Sequence, residues 1–209
     1  MKKAAVAVLF TASMMLGMTG CELGSKFTEK KMIKYFEEEL DADEEDPDDI
    51  IDSMEESDRK AFKGGLWSNL DKKQTKKAFD DLDLDDFFGP VKKAESSVVY
   101  VKTAEGSGKD QTAVCIMVLT FTDKKDIDDL FDETDEIIDE LCDTSYEHET
   151  DDNDNEMIAW LERNNDQDFY VGLYRDGKNA VMLISVNDDD AADDFCDEFE
   201  LTSPVSLKD

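Results

Sequence analysis

Histidine is nearly missing from this chain: His148 is the only one in 209 residues. One imidazole cannot make a paired-histidine metal site, and none of the serines stands in a Gly-x-Ser-x-Gly elbow that would seat it in a triad. No P-loop, dinucleotide fingerprint or His-Glu-x-x-His occurs either. Cysteine appears four times without a Cys-x-x-Cys, which excludes a dithiol redox motif and a zinc knuckle. Positive charge is short as well. Lys and Arg total 23 against 55 Asp and Glu, a formal net charge of -32. Such a body repels phosphate backbones and excludes nucleic acid as a partner. What remains is a 40% hydrophobic chain with 12 Phe, enough to build a real core and too apolar for wholesale disorder.

The first segment has a plan of its own. Lys2 and Lys3 precede an apolar run from Ala4 to Phe10, and then a stretch diluted by Thr11, Ser13, Gly17, Thr19 and Gly20. A spanning helix needs about 20 predominantly apolar residues, so residues 1–20 read as a secretory signal peptide. It ends in Met18-Thr19-Gly20-Cys21, which resembles the lipobox of bacterial lipoproteins, with Met18 where that family usually has Leu. The resemblance covers about a tenth of the chain. It implies cleavage before Cys21, acylation of the Cys21 thiol, and a lipid-anchored place on the extracytoplasmic face of the cell membrane. Residues 21–26 are then the lipidated cysteine and a short tether. The remaining cysteines, Cys115, Cys142 and Cys196, allow at most one bridge, and their apolar settings suit buried free thiols.

Periodicity predicts helices over 27–40, 47–62 and 69–80, the second opened by Asp46-Pro47 and closed by Gly64-Gly65. After Phe87-Phe88-Gly89-Pro90 the period changes. Residues 97–103 alternate as a strand, 105–110 form a turn, and 112–122 make a strand apolar on both sides. Thr122-Asp123 caps a helix to 141, and an acidic loop follows. Strands over 156–163, 168–175 and 179–187 precede a helix capped by Asn187. Met117–Asp123 lines up with Met182–Asp188, and Asp128–Glu133 with Asp193–Glu198, at one constant offset. Duplication or a shared packing solution would both explain that echo. The expected fold is α+β: a helical region over 27–93, then over 94–209 an antiparallel sheet of two β-β-α-like units with helices on one face, packed together as one unit.

Few residues invite chemistry. Asp151, Asn153, Asn155 and Glu162, with Ile158 between them, resemble in spacing the calcium loop of EF-hand proteins. Glu156 stands where that loop has Gly, and the following segment reads as strand, which sets loose divalent association against a dedicated site. Lys72, Lys73, Lys76 and Lys77 make a basic helix face that could grip an anionic wall polymer or a partner, or offset the acidic segment Glu37–Asp58. Trp67, just past the paired glycines, is an exposed stacking candidate, whereas Trp160, Tyr170 and Tyr174 sit in strands as packing. His148, between Glu147 and Glu149, reads as a solvent-facing loop residue. No cofactor is implied. The function expected is a non-enzymatic binding or interaction module of the cell envelope, with an envelope protein or cell-wall partner. A calcium-binding surface protein, an accessory subunit of an envelope complex and a carboxylate-based envelope enzyme are the alternatives.

Overall fold

Two strands apolar on both faces need cover on both sides, and that requirement organises the protein. The computed structural model describes residues 25–55, 65–81, 89–103, 111–141, 145–150, 155–164 and 167–208. Its elements run α1 (Glu29–Glu38), β1 (Asp43–Glu44), α2 (Pro47–Glu55), β2 (Leu66–Asp71), α3 (Lys72–Asp81) and a 3-10 turn (Gly89–Lys93). Then come β3 (Ser96–Thr103), β4 (Ala113–Thr120), α4 (Lys124–Leu141), β5 (Ser145–Thr150) and β6 (Glu156–Asn164). β7 (Gln167–Asp176), β8 (Asn179–Val186), α5 (Asp189–Phe199) and a second 3-10 turn (Pro204–Lys208) complete the order. One eight-stranded sheet, β1-β2-β3-β4-β8-β7-β6-β5, runs through the whole. Only β1–β2 is parallel, so the sheet is mixed and the class is α+β.

The core lies in two layers. Met117, Leu119 and Met182 face Ile50 and Ile51 of α2, Phe79 of α3 and Ile127, Leu130 and Phe131 of α4. Ile116, Val118 and Leu183 face Met32 and Phe36 of α1 and Phe195 of α5. Helices therefore cover both faces, which corrects the expectation of one. The units β3-β4-α4 and β7-β8-α5 do exist, and Met117 stands opposite Met182 in the central β4–β8 register. A two-fold axis through that pair would keep α4 and α5 on the same face. They lie on opposite faces, so one rotation does not relate the halves. The cause is local. Asn187 takes a left-handed φ of 52° after β8, and its side chain holds the amide of Asp168 and the carbonyl of Gln111. Asp188, not Asn187, then caps α5 by accepting from the Ala191 amide.

The 27–93 region is not all helical. The predicted helix over 69–80 divides into β2 and α3. Leu66, Ser68 and Leu70 turn to one face and Trp67 to the other, against Val101, Val99, Ser97 and Tyr100 of β3. The break is a capping box: the Asp71 carboxylate accepts from the Gln74 amide at 2.9 Å, and Gln74 accepts from the Asp71 amide at 3.0 Å. Asp46 caps α2 as expected, accepting from the Asp48 amide, and Asp123 caps α4 through the Lys125 amide. The acidic loop after α4 contains β5, an edge strand exposed along nearly its whole length.

Candidate functional site

The predicted site residues do not come together. Cys21, Asp151 and Asn153 lie outside the described residues. Asn155 immediately precedes β6, and Glu162 lies near its far end. Seven strand steps at about 3.4 Å set them roughly 24 Å apart. An EF-hand loop must curl both onto one ion, so Glu162 does not complete such a site with Asn155. Among the described residues no group of three or more His, Cys, Asp or Glu is arranged to hold a metal. Trp67 is only 3% exposed and packs in the core layer with Phe36 and Tyr100. That corrects its reading as a surface aromatic: Trp67 has apolar cover from the core layer that includes α1. Its indole Nε1 is buried without a hydrogen-bond partner. Of the lysines, Lys77 meets Asp52 of α2 at 3.6 Å, Lys72 meets Glu95 at 2.7 Å, and Lys76 pairs with Asp80 one turn on. The pairing holds the Asp80 carboxyl below its usual range, first through the Lys76 hydrogen bond. Among the described residues Lys77 thus offsets the acidic segment, while Lys72 and Lys76 pair elsewhere.

Sequence reasoning missed the densest polar cluster. It runs across the ends of three neighbouring strands and under α4. His148 of β5 places Nδ1 3.0 Å from Asp135 and Nε2 2.9 Å from Glu156. Glu156 of β6 lies 3.3 Å from Arg175 Nη1, which also meets Asp128 at 2.7 Å. Asp128 and Asp135 share one flank of α4, two turns apart. Asp135 Oδ1 is buried and within ion-pair distance of the imidazole, yet outside hydrogen-bonding geometry. Arg175 is 5% exposed, the most buried charge described. An Arg directly following the run Phe169–Tyr174 was the signal for it, since a charge there needs a partner.

The cluster backs a cleft of about 430 Å³. Its walls are Lys26 and Phe27, the β5–β6 corner with Glu149, Thr150 and Asn155, the end of β7, and Glu200–Thr202. Glu149, Glu156, Asp176 and Glu200 outnumber Lys26 and Arg175. Lys26 is committed, its amide to the Asp176 carboxylate and its ammonium to the Phe199 carbonyl at 3.1 Å. Tyr174, on the floor, donates to the Thr202 carbonyl at 2.9 Å and lies 3.3 Å from Cys196 Sγ. Burial pushes the Tyr174 hydroxyl well above its ordinary value and the Cys196 thiol up to about 11. Neither is a nucleophile near neutral pH. The cleft can receive a cationic or hydrogen-bond-donating group; its described side chains do not set a nucleophile beside a base. Protein-family models, curated proteins and solved structures give no match to the chain. The class therefore rests on the α+β sheet, and the site on its own geometry.

Proposed function

We propose that this chain is a cell-envelope lipoprotein, held on the extracytoplasmic face of the membrane by lipid on Cys21, whose folded body is a non-enzymatic binding module. The leader and lipobox-like residues 1–21 support the address. The observation that carries the reading is the way the tether meets the body. Ser25 accepts from the Asn179 side chain at 3.3 Å, the Lys26 amide bonds Asp176, and Lys31 reaches the Ser25 carbonyl at 2.7 Å. The chain is thus fastened to the β7–β8 turn four residues after Cys21, which can span at most about 14 Å. A body held this close suits short-range contact with envelope components, and the acidic cleft beside the tether is the surface offered to them.

The test is fractionation of cells expressing the wild type and Cys21→Ser. The wild type should label with palmitate and partition into detergent. The variant should be unlabelled and released in soluble form. A variant that stays membrane-bound, or a wild type without label, overturns the reading.

A further inference from the structure

We infer that β5 takes an extended cationic peptide segment as a further strand of the sheet. The inference rests on the reading of the body as a binding module and names the partner's chemistry; it does not rest on the anchor. The sheet has two edges, β1 and β5, and they are not alike. β1 is two residues long, Asp43–Glu44, and brevity blunts it. β5 runs for six residues, Ser145–Thr150, with no Pro, Lys or Gly to interrupt it. Among the described residues its one neighbouring strand is β6. Alternate backbone N–H and C=O groups of β5 therefore face away from the sheet, the template on which another chain adds.

The edge is held in place before any partner arrives. On the α4 face, His148 stands opposite Ile158 and lies 3.0 Å from Asp135 and 2.9 Å from Glu156. On the other face, the second 3-10 turn packs against β5 and β6. A strand fixed from both sides gives up little freedom when a neighbour pairs with it.

Side chains select the neighbour. Glu147 and Glu149 stand opposite Ala159 and Met157, on the face that α1 and α5 cover. Glu149 also lines the acidic cleft with Thr150, so the carboxylate row of the edge runs on into it. Residues on an added strand directly opposite these two meet them across the pair, where unlike charges stabilise and like charges do not. Tyr146, 38% exposed, stands opposite Trp160 on the α4 face and suits a β-branched neighbour. The fitting segment thus alternates Lys or Arg with Val, Ile or Thr. A second copy of this chain would bring the same carboxylates and a net charge of -32, so repulsion holds copies apart. The glutamates that guard the edge against like chains admit a cationic one.

The full chain, purified in detergent, is titrated with acetylated and amidated Lys-Val-Lys-Val-Lys-Val while amide exchange is followed residue by residue. The peptide should bind and slow exchange at alternate residues of β5, the outward set. The same peptide N-methylated at every residue keeps its charge but carries methyls where a neighbouring strand must approach, and it should leave β5 unprotected. In a Glu147→Gln, Glu149→Gln variant with unchanged circular dichroism, affinity should fall about fivefold. No binding, or protection that misses β5, overturns the docking. Equal protection by the N-methylated peptide overturns strand addition, and equal protection by Glu-Val-Glu-Val-Glu-Val overturns the charge selection. Protection of β5 that grows with protein concentration in the absence of peptide makes a second copy the occupant and overturns the cationic partner. Lipid takes no part in this readout, so peptide binding and palmitate labelling fail separately.

Discussion

Tyr174 shows how one side chain constrains its surroundings. Its ring lies across Gly172, so a Cβ added there would sit 2.4 Å from ring atoms. The ring cannot swing aside without losing the Thr202 carbonyl and the Cys196 contact. Gly172→Ala should therefore cost about 1–3 kcal/mol by overpacking, read as a lower urea midpoint with unchanged slope. A neutral result would mean the ring is free to move. The same core sets a pH limit. Burial raises Tyr100 from 10.0 to about 12, and Cys196 from 9.0 to about 11. In both cases the folded protein prefers the neutral, protonated form. Their contribution is whole below pH 9 and is lost as pH rises through 9–12, in the order of 2 kcal/mol for each group. Urea midpoints at pH 8, 10 and 11.5 should fall in that order. Cys196→Ala should flatten the earlier part of the decline, and a midpoint constant across the window would contradict the assignment.

Among elements, β5 depends most on contacts outside its own ladder. It pairs only with β6, and most of its residues are exposed. The row Asp135–His148–Glu156–Arg175–Asp128 ties it through β6 and β7 to α4. The links differ in worth. Arg175→Met leaves Glu156, 15% exposed, with only its His148 contact, and should cost about 2–3 kcal/mol; Asp128 is 43% exposed and solvent compensates it. His148→Ala removes a contact to Asp135, about one-third exposed on each side, and one to Glu156, which keeps Arg175, and should cost under about 1 kcal/mol. Hydrogen exchange should then quicken in β5 while β4 and β8 keep global protection, and uniform change across the sheet would refute a local tie. Which elements the sequence reveals follows the same physics. β4 and α4 are legible because their burial contrast is strong and Asp123 caps where a cap belongs. β2 was hidden because its short alternation abuts a helix, although Asp71-x-x-Gln74 was a readable start signal. β5 was hidden because an edge strand wet on both sides has no period to read. The placement of α5 turns on one left-handed residue, Asn187, and the site row on cross-strand register. Neither is written in local pattern.

At the scale of the whole molecule, charge is the term that composition makes largest. The described ion pairs are mostly exposed: Lys34–Glu38 at 69% and 60%, Lys125–Asp129 at 74% and 25%, Lys208–Asp189 at 43% and 46%. Each is worth little, and salt weakens it further. Against them stands a net charge of -32 folded into one body, whose like-charge repulsion is relieved when the chain expands. The two effects have opposite salt dependence, which makes their balance measurable. Raising NaCl from 10 to 500 mM shortens the Debye length from about 30 Å to under 5 Å, screening repulsion across the body. The many long-range repulsions outnumber the few short attractions, so net stability should rise by about 1 kcal/mol, a Tm increase of about 2–4 °C for a chain of this size. Magnesium chloride at equal ionic strength separates screening from binding. The same Tm means the acidic surface is a diffuse field, and a clearly larger rise means divalent ions are held at particular carboxylates. A Tm that falls with NaCl would show that the ion pairs, including the buried Arg175 link, outweigh the field.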